Sequence, residues 1–339
     1  MKIVSLFAGC GGLDLGLINA GHQIVYASDI DKDCRLTYEY NIGNHFHLED
    51  VYNLDTAILP QYDLLVGGFP CQGFSVANLY RSVEDKRNLL YTQIVRIVEE
   101  TAPPFFLLEN VPGILSLEKG EVVKIIQNEF ENIGVNKGGK GYEVKRVLLN
   151  AADYGVPQNR KRVLFLGISK KISEKLRTEM FTHFPPKPTH TKATGNCLVP
   201  HITLRNTIEN LPEPGTKEAK NIYNQIGTNH RVKINGYLGN RALDWDKPSP
   251  TIVGRGGGTG GPVIAVHPNL HRRFTVRETA RIQSFPDDFV FHGSVSSQFR
   301  QIGNAVAVDF AYNIGLALAK IETTLTNYKL SKRRNLVLV

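Results

Sequence analysis

The first half of the chain alternates short apolar runs with amphipathic stretches. The apolar runs have the length of buried strands, and the stretches between them repeat apolar residues three and four positions apart, as helices do. Strands are predicted over residues 2–7, 23–28, 62–67, 104–109, 143–150 and 162–168, and helices over 13–20, 33–40 and 89–100. This alternation is typical of an α/β fold with a doubly wound, mainly parallel sheet.

The pattern changes after about residue 169. Residues 169–274 contain 10 of the 17 prolines and 11 of the 31 glycines, so we expect loops and short strands there. A helical pattern returns in the segment TVRETARIQSF, and a second apolar helix is predicted over 304–321. We therefore expect a first domain over 1–168, a smaller loop-rich domain over 169–271, a return to the first domain over 272–325 and a basic tail over 326–339.

Composition excludes several classes of protein. With 42% hydrophobic and 21% charged residues, the chain of 339 residues can bury a large core and is not intrinsically disordered. It has no run of the roughly 20 apolar residues that cross a bilayer and no signal-peptide pattern, so we expect a cytoplasmic protein with no membrane partner. Four cysteines without a C-x-x-C pair indicate a reducing compartment and suggest no metal site.

Charge is distributed unevenly along the chain. Residues 1–150 carry 13 Lys and Arg against 19 Asp and Glu, a net charge of −6, whereas residues 151–339 carry 27 against 13, a net charge of +14. A basic region of this size is typical of a protein that contacts a polyanion such as nucleic acid. An ordinary solvated basic surface has the same composition, and charge alone does not distinguish the two.

A glycine-rich turn follows the first predicted strand. The segment FAGCGGLDLG, residues 7–16, opens a helix, and Asp29 ends the next strand about 20 residues further on. Such a turn brings backbone N–H groups close to a cofactor, and such an acid binds ribose hydroxyls. The glycines do not match G-x-G-x-x-G, which argues against a dinucleotide. The alternative is tight strand-to-helix packing without a ligand.

Two further strand ends carry reactive residue types. Cys71 lies in GGFPCQGFS, where proline and glycines favour a rigid exposed loop, although a lone cysteine is more often a small buried apolar residue. Glu109 ends another strand, which in a parallel sheet brings it to the same edge, where it could act as an acid or remain an ordinary strand-end carboxylate. In QNRKR, residues 158–162, the cations either form a solvated turn or direct a guanidinium at a carbonyl or phosphate.

These segments occur in an order that resembles a known family. FAGCGGLDLG, GGFPCQGFS, ENV, QNRKRVLFLG, RETARIQSFPDDF and QIGNAV follow the order and spacing of the DNA (cytosine-5)-methyltransferases, bacterial restriction–modification type. The resemblance covers residues 1–168 and about 272–321. Residues 169–271 fall where that family has its variable target-recognition region. A Rossmann-like methyltransferase fold is implied.

The resemblance also implies roles for individual residues. Cys71 would be the nucleophile, Glu109 the group on the cytosine ring, and Arg160 and Arg162 the orienting cations. S-adenosylmethionine, which leaves as S-adenosylhomocysteine, would bind to Phe7, Gly9, Gly11, Leu13, Asp29, Ile30, Asp50, Val51, Pro70, Asn304 and Val306. Cys10 is interpreted as a packing residue. DNA would contact Gln72, Ser75, Arg241, Thr251 and Arg255, although ordinary loop basicity explains the two arginines equally well.

The implied reaction is methyl transfer to carbon 5 of cytosine in a short sequence of double-stranded DNA. Carbon 5 is a poor nucleophile, so the Cys71 thiolate would first add to carbon 6 of a flipped-out base. The modified site would be protected from a cognate restriction endonuclease, and the enzyme would be a monomer. Two alternatives remain: a tRNA cytosine-5 methyltransferase of the same fold, and a catalytically inactive DNA-binding module.

Overall fold

The computed structural model describes residues 1–69, 90–192, 198–227, 243–254, 265–269 and 272–337. Their central sheet contains β1 (Lys2–Leu6), β2 (Gln23–Asp29), β3 (Phe46–Leu48), β4 (Leu64–Gly67), β5 (Phe105–Asn110), β6 (Tyr142–Asn150) and β8 (Lys161–Ser169), with the short β7 (Gln158–Asn159) just before β8. The strand order is β3-β2-β1-β4-β5-β8-β6. Within this described sheet only β8 runs antiparallel to its neighbours. The doubly wound, mainly parallel sheet is confirmed.

All six predicted strands are present. The apolar runs form buried strands because a central strand of a parallel sheet is covered on both faces. Strand β3 was not predicted, since it has only three residues and two of them are exposed. It extends the sheet through parallel pairing with β2, in which Leu48 lies opposite Asp29.

The helices cover both faces of the sheet. Alternate residues of one strand point to opposite faces, so Phe105 packs into one apolar core and Phe106 into the other. Helices α1 (Gly12–Asn19) and α2 (Lys32–Asn41) contribute to the core that contains Phe105. Helices α3 (Leu90–Thr101) and α4 (Glu121–Glu131) cover the core that contains Phe106.

After β8 the described elements are short, as predicted. They are α5 (Glu174–Phe181), β9 (His190–Thr191), β10 (Val199–Pro200), α6 (Leu204–Ile208), β11 (Ser249–Pro250), α7 (Val276–Ile282) and α8 (Val295–Asn304). A third apolar core joins Leu204 and Ile252 to Phe274, Phe291 and Ile302. Residues on both sides of the predicted boundary at 271 therefore share one core.

The last helix, α9, differs from its prediction. It spans Val308–Val337 instead of 304–321, because residues 305–307 interrupt the helical path after α8. The predicted tail from residue 326 continues this helix to Val337, since the segment contains neither glycine nor proline. The stretch Val295–Lys332 is apolar and long enough to span a membrane, but 61% of its most apolar window is buried. Because α9 packs on α1, we interpret it as a core helix.

Candidate active site

The turn between β1 and α1, residues 7–12, lies at the carboxyl edge of the sheet. We call it the glycine turn. Phe7 has a φ of 55°, Gly9 a φ of 56° and Gly11 a φ of 90°, so the backbone here adopts the left-handed conformations that glycine allows. The Gly9 N–H donates a hydrogen bond of 2.9 Å to Asp29 Oδ2. This bond fixes the turn against the end of β2.

The glycines of this region have different functions. A Cβ at Gly12 would lie 2.4 Å from the Val306 carbonyl oxygen, and one at Gly16 would lie 2.4 Å from the Val308 carbonyl oxygen. Those two glycines therefore allow α1 to pack closely against the start of α9. At Gly9, in contrast, no atom of the described residues lies within 4 Å of the position of a Cβ. The space in front of Gly9 is open, as a ligand site requires.

Asp29 and Ile30 lie beside this open space. Asp29 accepts hydrogen bonds from the Gly9 N–H and from the Asp31 N–H, the second at 3.0 Å. Burial raises the pKa of the Asp29 carboxyl, and the two backbone donors oppose that shift. Ile30 is 71% exposed. An exposed apolar side chain next to a partly buried carboxylate suits a ligand with a flat apolar face and adjacent hydroxyl groups.

Asp50 and Val51 complete this side of the site. They follow β3, which pairs with β2, so they lie at the same edge of the sheet as Asp29. The Asp50 carboxylate accepts the Tyr52 N–H at 3.0 Å and caps a single helical turn over Val51–Asn53. Val51 is buried, and Leu13, at the other end of the glycine turn, is buried in α1.

The link between α8 and α9 brings Val306 to the glycine turn, whereas the side chain of Asn304, the last residue of α8, lies against Gly254 in the segment after β11. The close approach of the Val306 carbonyl to Gly12 places this link against the start of α1. Cys10, inside the turn, is buried and its thiol lies 3.6 Å from the Gln301 carbonyl oxygen. Burial raises the pKa of that thiol to about 12. The interpretation of Cys10 as a packing residue is confirmed.

A buried ion pair occupies the neighbouring strand ends. Arg162 Nε lies 2.5 Å from Glu109 Oε1, and the two side chains are only 8% and 14% exposed. Burial lowers the pKa of the Arg162 guanidinium, and the Glu109 charge opposes that shift. Glu109 Oε2 lies 3.2 Å from the position of a Cβ at Gly68, so glycine at 68 leaves room for the carboxylate. The pair thus lies where β4 and β5 end side by side.

Asn110 was not identified from the sequence, although it belongs to the ENV segment. It is buried, and its amide donates a hydrogen bond of 3.4 Å to the Phe69 carbonyl oxygen. Its own side-chain oxygen accepts the Val111 N–H at 2.8 Å. Asn110 therefore links the end of β5 to the chain that leaves β4. Pro70 and Cys71, which follow Phe69, lie outside the described residues.

The structure does not bring Arg160 to Glu109 in the way it brings Arg162. The Arg160 guanidinium donates to the carbonyl oxygens of Ile252 at 2.6 Å, Gly303 at 2.9 Å and Ala305 at 3.0 Å. It joins β8 to the segment after β11 and to the α8–α9 link. The buried positions 158, 160 and 162 alternate with exposed positions 159 and 161, a two-residue period that the sequence already contained.

A pair of buried glutamines makes a second connection between the same segments. The Gln158 amide donates to Gln283 Oε1 at 2.9 Å, and Gln158 Oε1 accepts the Ile252 N–H at 2.8 Å. Gln283 in turn donates to the Ile302 carbonyl at 2.8 Å. Neither glutamine was singled out from the sequence. The signal in the sequence that could have identified Gln283 was a single polar glutamine near the end of the apolar pattern of α7.

Of the predicted DNA contacts, only Thr251 is described. It is exposed, and its hydroxyl donates a hydrogen bond of 2.7 Å to the Asn159 carbonyl oxygen. This bond extends the pairing of β11 with β7. The other four candidates lie outside the described residues; they are Gln72, Ser75, Arg241 and Arg255.

The site has two parts at one edge of the sheet. One is an open cradle with a carboxylate and an exposed apolar side chain, and the other is a buried arginine–carboxylate pair. No group of three His, Cys, Asp or Glu side chains that could hold a metal occurs in the described ranges. The described residues thus place a carboxylate suited to acid–base chemistry beside a cradle that suits a ligand with hydroxyl groups and a flat apolar face.

Comparison with known proteins gives a consistent result. The family model of the C-5 cytosine-specific DNA methylases matches residues 1–320. The Type II methyltransferase M.FnuDI of Fusobacterium nucleatum is 35% identical, with 98% of this chain and 97% of that protein covered. The Type II methyltransferase M.NgoFVII of Neisseria gonorrhoeae is 36% identical, with 90% and 83% covered.

Solved structures show the same fold. One described as a DNA modification methyltransferase encoded within an E. coli prophage has a TM-score of 0.70 at 27% identity, with 95% of this chain and 99% of that chain covered. The S. pombe Dnmt2 methyltransferase has a TM-score of 0.64 at 19% identity, with 95% and 99% covered. At that identity, the second likeness concerns the fold alone.

Proposed function

The chain belongs to the C-5 cytosine-specific DNA methylase family and is a DNA (cytosine-5)-methyltransferase, and from this premise we propose that Cys71, Glu109 and Arg162 carry the reaction. The observation that supports this assignment is the buried Arg162–Glu109 pair beside Gly68. From Gly68 the chain reaches position 71 within at most about 11 Å. This chain length allows a thiol at position 71 to approach a base held by Glu109.

The proposed reaction begins at carbon 6 of cytosine. The Cys71 thiolate forms a bond to carbon 6, and the electron pair of the ring double bond moves toward carbon 5 and ring nitrogen 3. Glu109 lies at nitrogen 3 and, as the carboxylic acid, donates or shares the proton that neutralises the negative charge that the addition develops there. Arg162 holds Glu109 in position and directs its remaining N–H groups toward the carbonyl oxygen at carbon 2.

The remaining steps restore the aromatic ring. S-adenosylmethionine, when bound, supplies the electrophilic methyl group. After methylation, carbon 5 loses its proton to a base, the carbon 6–sulfur bond breaks, and Cys71 leaves as the thiolate. Arg160 connects the segment after β11 to the end of α8 and the α8–α9 link through three carbonyl oxygens, so we propose that this predicted orienting cation positions those segments.

The open cradle fits S-adenosylmethionine. Gly9 leaves space for a ligand, Asp29 offers a carboxylate to the ribose hydroxyls, and Ile30 presents an apolar surface to the adenine. Asp50 has a second carboxylate oxygen for the adenine amino group. The other proposed contacts among the described residues are Phe7, Gly11, Leu13, Val51, Asn304 and Val306. Pro70, which lies outside the described residues, is proposed from its place in the family motif alone.

We propose double-stranded DNA as the substrate and a restriction–modification system as the setting. The relatives carry the name Type II methyltransferase, and residues 151–339, with a net charge of +14, provide phosphate contacts. The same proposal includes protection from a cognate endonuclease, a monomeric state and action in the cytoplasm. It also includes the division of the chain into domains at residues 168 and 271. Cytosine carbon 6 is inaccessible in a stacked duplex, so the base must be flipped out.

Replacement of Cys71 tests the mechanism. Cys71→Ser should lower methyl transfer at least about a thousandfold, because serine is a poorer nucleophile at neutral pH. Cys34→Ala serves as the control for removal of a thiol, since Cys34 is buried in α2 and is not one of the proposed site residues. DNA containing 5-fluorocytosine should form a covalent adduct with the wild type and not with Cys71→Ser. Undiminished transfer by Cys71→Ser would refute the assignment.

The substrate is tested separately. Uptake of tritiated methyl groups into duplex DNA and into tRNA distinguishes the DNA enzyme from a tRNA methyltransferase of the same fold. We expect uptake into DNA alone. An inactive DNA-binding module would show neither uptake nor an adduct.

A further inference from the structure

A basic cleft lies at the edge of the sheet opposite the active site. Its volume is about 610 Å³. It is formed where the chain enters β6, where it leaves β8, and where α5 packs against the last turns of α9. Six cations line it, and they are Lys140, Lys170, Lys171, Arg177, Lys329 and Lys332. We call this feature the lysine cleft.

Most of this positive charge is not neutralised by the protein. Glu174 is the one carboxylate among the lining residues, so six cations and one anion leave a net charge of +5. Arg177 is paired with Glu143 at 2.6 Å. No ion pair joins the five lysines to any carboxylate of the described chain. Clustered unpaired cations repel one another, and an anionic ligand relieves that repulsion.

The cleft also contains an aromatic ring. Tyr328 lines it, and the Lys332 ammonium lies 5.2 Å from the centre of the ring. Closely spaced lysines along a surface groove match the repeated phosphates of a nucleic-acid backbone, whereas a single small anion needs only two or three of them.

The lysine cleft is separate from the active site. β8 carries Arg162 at one end and is followed by Lys170 at the other, and eight residues of extended strand span about 27 Å. A duplex that lies across the carboxyl edge of the sheet, where Glu109 and Asp29 are located, does not extend around the protein to this cleft. The methylated duplex therefore does not account for the cleft.

We propose that the lysine cleft binds the phosphate backbone of a second DNA segment while the first occupies the active site. An enzyme that holds two segments can transfer directly between them in its search for recognition sites, and backbone contacts without base readout suit that purpose. This inference goes beyond the methyl-transfer reaction and does not depend on Cys71. It depends only on DNA being the polyanion near the protein.

Formation of a ternary complex tests the proposal. The full chain is mixed with two short duplexes, one labelled with a fluorescence donor and the other with an acceptor, and energy transfer reports both duplexes on one protein. Sedimentation under the same conditions establishes that the complex contains one copy of the chain. We expect energy transfer with the wild type and at least a tenfold loss with K170Q/K171Q/K332Q.

A matched variant controls for net charge. K2Q/K124Q/K137Q removes the same three charges at exposed positions outside the cleft, and it should retain energy transfer. Methylation of a single short duplex should stay within twofold of wild type in both variants. Each lysine that contacts a phosphate steepens the plot of the logarithm of the binding constant against the logarithm of salt concentration by about 0.9. The cleft variant should therefore show a shallower slope for binding of the second duplex.

Three results would overturn the proposal: energy transfer that survives in the cleft variant, energy transfer that needs two copies of the chain, or saturation of the wild type by one duplex. Displacement of the second duplex by inorganic phosphate at concentrations that leave ionic strength unchanged would assign the cleft to single phosphate groups instead. Loss of methylation in Cys71→Ser with bridging intact would separate this site from the proposed mechanism.

Discussion

Gln158 and Gln283 form a buried side-chain hydrogen bond of 2.9 Å between residues 125 positions apart in the sequence. Gln158 belongs to β7, which pairs with β11 and directly precedes β8 of the central sheet, and Gln283 follows the last residue of α7. Each also bonds to backbone groups, Gln158 to Ile252 and Gln283 to Ile302. The pair fixes the segment that carries Thr251 and the link that carries Asn304 relative to the sheet.

Removal of either glutamine should therefore destabilise the protein. Gln158→Leu leaves the buried Ile252 N–H without its acceptor, and Gln283→Leu removes the bond to the Ile302 carbonyl and the Oε1 acceptor of the Gln158 amide. Each should lower the free energy of unfolding by ~1–3 kcal/mol. Urea denaturation measures this loss, with Gln127→Leu on α4 as a control that should be within about 0.5 kcal/mol of wild type. The double variant should lose less than the sum of the two single losses; strict additivity would show that the two side chains act independently.

Arg160, just before β8, and Arg162, within it, should separate into one structural and one catalytic residue. Arg160→Lys loses the planar fork that serves three carbonyl oxygens and leaves a buried charge with fewer partners, so we expect a loss of roughly 3 kcal/mol in unfolding free energy. Arg162→Lys keeps a cation beside Glu109, and its main effect should be a fall in kcat of about a hundredfold or more. Unfolding and single-turnover methylation, measured on both variants, check this division. Equal effects on stability would contradict it.

Ile30 should contribute to the affinity for S-adenosylmethionine. Its side chain is 71% exposed, so it adds little to folding, and contact with a ligand would bury it. Ile30→Ala should weaken binding by about 1–2 kcal/mol, which raises the Kd roughly five- to thirtyfold. Calorimetric titration measures the Kd, and Ile58→Ala, at another exposed isoleucine, should not change it. Unchanged affinity in Ile30→Ala would exclude this residue from the site.

Asp14 should make the stability depend on pH. It is fully buried, accepts hydrogen bonds from Ser5 at 2.7 Å and Tyr38 at 2.8 Å, and its burial raises its pKa from 3.8 to about 6. The folded state thus binds this proton more tightly than the unfolded state. The resulting stability is present below the unfolded pKa and is lost as pH rises through about 6.

Comparison of wild type with Asp14→Asn isolates this contribution. The asparagine side chain has no charge, so the wild type should lose up to about 3 kcal/mol relative to the variant as pH rises from about 4 to about 7. Urea denaturation at a series of pH values measures the difference. A constant difference across that interval would show that Asp14 keeps one protonation state.

The positions of the six main strands could be predicted from the sequence, because burial on both faces of a parallel sheet requires continuous apolar runs. The same runs located Gly9, Asp29 and Glu109 at strand ends, and the motif order indicated the family. The short strand β3 and the interruption at 305–307 were not accessible, since neither has a local pattern that differs from a turn or a helix.

The sequence by itself determined which residue types are available for the reaction and at which edge of the sheet they lie. Only the tertiary structure decided how they are used. Arg160 and Arg162 are equivalent cations in the sequence, yet one donates to carbonyl oxygens from distant segments and the other contacts Glu109. Gly12 and Gly16 likewise serve the contact with α9 instead of a ligand. Such assignments depend on contacts between residues far apart in the chain, which local periodicity does not encode.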